Sequence, residues 1–182
     1  MTTQADLFAD WNAATGKTPG AQPVPSLDLF NPNRELRHTG SMQVFSDSHG
    51  LVDTDEPDAL TLHAISQVIN DYRQAARNAI DAGFDGVEVH GANGYLLEQF
   101  LRDSINDRAD AYGGSIANRA RLMVEVMQAI VAEIGGGRTG IRLSPITPVN
   151  DAGQDSDAQA LYEYVVAQLA PLGLAFLHII EG

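Results

Sequence analysis

The strongest constraint on this chain is an alternation of two periods that runs through residues 61–182. HAISQVINDYRQAARNAIDAG places Ile65, Val68, Ile69, Tyr72, Ala76 and Ile80 at helical spacing, and Gly83 ends the run. FDGVEVHG follows as a short strand closing at His90. Next comes a short helix with Leu96, Leu97, Phe100 and Leu101 on one face, for which Asn93 is a natural N-cap. ANRARLMVEVMQAIVAEIGGG predicts a longer helix stopped by Gly135 to Gly137, and TGIRLSP a second strand. DAQALYEYVVAQLAPLG predicts a further helix and LAFLHIIEG a third strand. Strands separated by helices cannot be joined by tight hairpins, so they pair in parallel through crossovers, which specifies an α/β fold.

The first sixty residues lack that pattern. A short amphipathic helix around Leu7, Phe8 and Trp11, capped by Thr3 and Asp6, is one reading, but Gly16 to Pro57 is rich in Gly, Pro, Asn, Asp and Ser without a period. The chain therefore divides into an irregular arm and long loop over 1–60 and βα units over 61–182. A complete (β/α)8 barrel needs eight strands in about 250 residues. Three clear strands in 182 residues leave two choices, a smaller open sheet or part of a barrel.

Charge and composition exclude several classes of function. Twenty-four acidic against eleven basic side chains, a formal charge of -13, repel phosphate backbones and anionic lipid, so neither nucleic acid nor membrane is the expected partner. The absence of cysteine removes disulfides, thiolate metal sites and a cysteine nucleophile, and fits a cytoplasmic placement. MTTQADLFADW carries no apolar signal core, and no run is long enough to span a bilayer.

In parallel α/β folds ligands collect where strand C-termini meet helix N-termini. His90, Asn93 and Tyr95 fall in one such junction. An imidazole and an amide can donate to a single carbonyl oxygen, while a tyrosine holds a proton to give at neutral pH, so the trio combines an oxyanion site with a general acid. Each residue also has a plain structural reading: Asn93 as a cap, His90 as a satisfied strand-end histidine, Tyr95 as first-turn packing. A Glu88, His90 and His178 metal site lacks recognisable ligand spacing. Gly135 to Gly137 lack the flanks of a phosphate loop, and in NDRADAYGGS the residues Arg108, Asp110, Gly113 and Gly114 are expected to fix backbone geometry.

HGANGYLLEQFL, then NDRADAYGGSIANRARL, then GIRLSP, three separated blocks in order, closely resemble the Old Yellow Enzyme family of FMN-dependent ene-reductases, which includes 12-oxophytodienoate and N-ethylmaleimide reductases. Weaker similarity in GAQPVPSL and VFSDSHGLVDTDEPDAL extends the resemblance from about Gly20 onwards. It implies a partial TIM (β/α)8 barrel, with about three βα units covering the fourth to sixth strands. It implies His90 and Asn93 as the pair that holds a substrate carbonyl oxygen, and Tyr95 as proton donor. The cofactors implied are FMN and, as reductant, NAD(P)H; the substrate is a small enone, nitro or quinone-like molecule.

Arg142 in GIRLSP alternates away from Ile141 and Leu143, which point to the helices, and so faces the barrel interior, where an unpaired guanidinium is costly. From the residues alone an ion pair with Glu88 is the favoured partner. The resemblance instead implies contact with the N1 and C2-carbonyl edge of the flavin. Segments corresponding to the family's first three strands and to the phosphate-holding loops of its last two have no counterpart here. The open sheet edges that result invite self-association. Two functions follow: an NAD(P)H- and FMN-dependent ene-reductase in truncated form, or a catalytically silent remnant serving as an α/β scaffold or interaction module.

Overall fold

The computed structural model describes residues 43–46, 50–53, 59–147 and 153–180, all within one compact unit spanning Pro32–Gly182. Strands β1 (Gln43–Ser46) and β2 (Gly50–Asp53) form an antiparallel hairpin, with Val44 opposite Val52. The hairpin lies inside the stretch that the sequence presents as irregular. Two four-residue strands around Ser-Asp-Ser-His are too short to display a period. The expected helix near Leu7, Phe8 and Trp11 lies outside the described residues.

The remainder alternates as its periodicity predicts: α1 (Leu62–Asp81), β3 (Val87–Gly91), α2 (Leu96–Leu101), α3 (Ile116–Ile134), β4 (Thr139–Leu143), α4 (Ala158–Leu169) and β5 (Phe176–Ile179). Strands β3, β4 and β5 form a parallel sheet in that order. Register places His90 beside Arg142 and Arg142 beside His178. One sheet face therefore carries Glu88, His90, Arg142 and His178, and the other carries Val89, Ile141, Leu143 and Leu177.

The second face meets the helices. Val89 is 3% exposed, Ile141 and Leu143 not at all, and they pack with Leu122, Met123, Val126 and Met127 of α3 and Leu161 and Val165 of α4. Helix α1 adds Ile65, Val68 and Ala76 to the same core. Burying an aliphatic side chain of this kind contributes about 1.5–3 kcal/mol. Helix ends are secured by side chains: Thr61 Oγ1 accepts from the Ala64 amide, Ser115 Oγ from Asn118 and an Asp157 carboxylate oxygen from Ala160. Helix α3 stops at Gly135, as the glycine run predicts.

The loop from α2 to α3 is held by the residues that its composition singles out. Arg108 pairs with Asp110 at 2.6 Å, and that pair lowers the Asp110 carboxyl below its ordinary range. Asn106 Nδ2 donates to the carbonyls of Phe100 and Tyr112. The backbone then passes so close that a Cβ on Gly113 would meet the Arg108 carbonyl oxygen at 2.0 Å. No side chain fits there.

Candidate active site

The site occupies the C-terminal ends of β3 and β4. His90 is the penultimate residue of β3, and its ring lies 4.9 Å from the Tyr95 ring at an interplanar angle of 55°. Between them the chain turns through Asn93 at φ 58° and Gly94 at φ 75°. Two successive left-handed residues make a tight turn, closed by the Tyr95 amide donating to the Ala92 carbonyl at 3.3 Å, and asparagine is the residue after glycine that best tolerates that region.

Asn93 is not the N-cap residue of α2. The N-cap position belongs to Tyr95, whose φ of -81° and ψ of 176° are extended and whose side chain makes no capping bond. Asn93 lies two positions before that N-cap, with its backbone in the left-handed region. His90, Asn93 and Tyr95 are all half-buried at one end of the sheet.

Arg142 lies next to His90 in register. The expected ion pair with Glu88 does not form: Glu88 instead accepts from His178 Nδ1 at 3.0 Å, from the strand beyond Arg142. Both residues stand on the same sheet face, and the imidazole simply reaches the carboxylate across the intervening strand. Arg142 Nε is buried without a hydrogen-bond partner among the described residues. An N–H left in that condition costs about 1–3 kcal/mol. Among the described residues no three His, Asp or Glu side chains are grouped to hold a metal ion.

Beneath the turn lies a polar cluster that motif reading passed over. Glu98 and Arg102 on α2 look like a surface i,i+4 pair, yet they are 0% and 1% exposed. Glu98 Oε1 accepts from Arg102 Nη2 at 2.7 Å and from Ser144 Oγ and the Tyr162 hydroxyl at 2.8 Å each. Its Oε2 accepts from the Gly94 amide at 2.6 Å. Ser144 Oγ in turn accepts from the Asn93 amide at 2.8 Å. Burial pushes the Tyr162 hydroxyl well above the usual tyrosine range, reinforced by the Glu98 charge. For Arg102, burial works against the charge, but Tyr162 and the Glu98 carboxylate outweigh it and leave the guanidinium raised. The available signal was Glu98 at the third helical position, where a carboxylate reaches back to backbone amides.

A second buried pair anchors the loop that enters α4. The Arg119 guanidinium meets the Asp155 carboxylate and the Leu101 carbonyl, and Asp155 also accepts from the Asp103 and Asp157 amides at 3.0 Å each.

The comparisons with known proteins agree with this geometry. Residues 30–181 match the model of the NADH:flavin oxidoreductase / NADH oxidase family. The chain is 51% identical over 172 residues to 12-oxophytodienoate reductase 1 of Oryza sativa subsp. japonica, covering 94% of this chain and 43% of that protein. With 12-oxophytodienoate reductase 2 of Arabidopsis thaliana it shares 49% over 125 residues, 69% of this chain and 33% of the other. The fold superposes on the old yellow enzyme homologue from Zymomonas mobilis with a TM-score of 0.73 at 38% identity, covering 81% of this chain and 40% of that one. A morphinone reductase variant in complex with tetrahydroNAD gives 0.74 at 40% identity, covering 83% and 42%. The chain thus spans less than half the length of these relatives. A family match over residues 30–181, most of the chain, shows that it belongs to the NADH:flavin oxidoreductase / NADH oxidase family, that of the old yellow enzyme homologues.

Proposed function

We propose that this chain carries the substrate-activating portion of an FMN-dependent ene-reductase acting on α,β-unsaturated carbonyl compounds. The three parallel strands would be the fourth to sixth of a (β/α)8 barrel. One observation supports the reading above the others: His90, Asn93 and Tyr95 converge on one strand end, the His90 and Tyr95 rings 4.9 Å apart and Asn93 in the left-handed turn between them.

The residues present fit a flavin. Arg142 points its guanidinium to the sheet face shared with His90, and its unpartnered Nε is a buried donor suited to an acceptor such as the N1 and C2-carbonyl edge. FMN reduced by NAD(P)H supplies, when bound, a hydride for the β-carbon of the substrate. His90 and Asn93 donate to the substrate carbonyl oxygen, and so stabilise the negative charge that grows there. Tyr95 delivers its phenolic proton to the α-carbon. Nitro and quinone-like substrates offer a comparable oxygen to the same pair. The remnant reading draws on one observation, the exposure of Phe176, Leu177 and Ile179 on β5 at 48%, 43% and 47%. That apolar strand also supports self-association.

The deciding experiment titrates the purified chain with FMN, following absorbance and fluorescence while light scattering reports its size. Stoichiometric binding that weakens in Arg142→Ala supports the proposal. A chain that ignores FMN in every state of association overturns it in favour of the scaffold.

A further inference from the structure

We infer that Glu98 is a positioning residue for the enone site: its buried carboxylate sets the Asn93–Gly94 turn, and with it the direction in which the Asn93 amide leaves the loop. The inference rests on the reading of His90 and Asn93 as the carbonyl-binding pair.

A carboxylate removed from water costs several kcal/mol unless its oxygens are satisfied. Here four donors from four parts of the chain meet it: the Gly94 amide before α2, Arg102 after α2, Ser144 after β4 and Tyr162 in α4. Neutralising Arg102 alone would need only the i,i+4 contact. The additional donors have a common destination. Gly94 N–H ends directly on Oε2, and Asn93 N–H ends on Ser144 Oγ, whose hydroxyl donates in turn to Oε1. Both left-handed residues are thus tied to a single carboxylate, one directly and one through a hydroxyl.

That double tie matters because, although asparagine tolerates φ 58° better than other non-glycine residues, the left-handed region is still disfavoured over extended and right-handed ones and is held by its surroundings. Asn93 sits three residues beyond His90, and relaxation of the turn would change the direction in which its side chain leaves the backbone. Glu98 touches neither substrate nor cofactor in this scheme and acts only through the backbone. Arg102 Nη2 also donates to the Ser144 carbonyl at 2.7 Å, which holds the β4 end of the relay in place.

The wiring is asymmetric, and the test uses that asymmetry. Backbone amide hydrogen exchange is measured by NMR on the whole chain, as wild type, Ser144→Ala and Glu98→Gln. Ser144→Ala should accelerate exchange at Asn93 by about tenfold while Gly94 stays within about twofold, the split expected when one of two ties is cut. Glu98→Gln should accelerate both, while Met123 and Val126 in α3 stay within about twofold. Uniform acceleration across the turn and α3, or no change at either turn amide, overturns the inference and reduces Glu98 to a fold-holding group. Should Glu98→Gln not fold, the Asn93 against Gly94 split in Ser144→Ala decides alone. A parallel titration with 2-cyclohexenone in the presence of FMN should show at least about tenfold weaker binding in Ser144→Ala. Wild-type chain that gives no response to the enone sinks the functional reading, while the exchange pattern still decides what Glu98 does to the turn.

Discussion

Strands β3 and β5 both carry large apolar side chains in one parallel sheet but have opposite surroundings. On β3, Val89 is 3% exposed and the strand runs into a turn wired to a buried carboxylate; on β5, Leu177 and Ile179 are 43% and 47% exposed. A strand in a parallel α/β sheet is covered by the helix before it and the helix after it. In the chain β3 is preceded by α1 and followed by α2 and α3, whereas among the described residues β5 is preceded by α4 and followed by no helix. Apolar sequence creates the demand for cover, and the neighbouring elements decide whether it is met.

The sharpest way to strain that contrast is at the wired end. Tyr95→Phe should lower enone reduction by about 10² to 10⁴-fold, the usual contribution of a general acid, and leave flavin reduction by NAD(P)H unchanged. Single-turnover kinetics of the two half-reactions check it, and equal loss in both would remove Tyr95 from the proton-transfer role. Core truncation comes next in size. Ile141→Ala, at a site with no exposure, should cost about 2–5 kcal/mol in urea unfolding. Leu177→Ala, one strand away on the same face and paired with Ile141 in register, should stay within about 0.5 kcal/mol, as for a surface site. Similar losses at the two positions would mean that something covers β5 in solution.

Acid should act on the wired side first. Burial alone would raise the Asp155 carboxyl, but the Asp103 and Asp157 amides and the Arg119 guanidinium outweigh it and leave the folded value depressed. The unfolded reference is about 3.9. A depressed folded value means that the contribution is fully present above that reference and disappears as pH falls through the folded value below it. Acid titration of stability should therefore fall more steeply below about pH 4 in wild type than in Asp155→Asn. At the alkaline end, burial and the Glu125 carboxylate push the Tyr112 hydroxyl up to about 12. A raised value stabilises below the unfolded reference of about 10 and is lost between there and the folded value. Tyr112→Phe should flatten that decline by a small margin.

Much of this architecture was legible from periodicity. Helical spacing from Ile65 to Ile80, the glycine stop at Gly135 and the alternation in GIRLSP correspond to α1, the end of α3 and β4 with Arg142 opposite Ile141 and Leu143. These features are local, since each needs only backbone preference and one buried face. The hairpin β1–β2 escaped because its four-residue strands are too short for a period to be seen. Asn93 was misread as a cap because residue type alone does not distinguish the extended position before a helix from a left-handed one.

The polar relations among distant residues were the part that sequence could not supply. Glu98 and Arg102 have the spacing of an exposed pair, and only the approach of Ser144 and Tyr162, 46 and 64 residues from Glu98, makes them a buried hub. Likewise Glu88 takes His178 rather than Arg142, a choice between two neighbours on one sheet face. Local pattern determines which segments are helix or strand and which residues stand at the strand end, because those follow from short-range sterics and periodic burial. Which polar group satisfies which other is decided in the tertiary structure, because the cost of an unmet donor or buried charge is set only when chain segments far apart in sequence close over it.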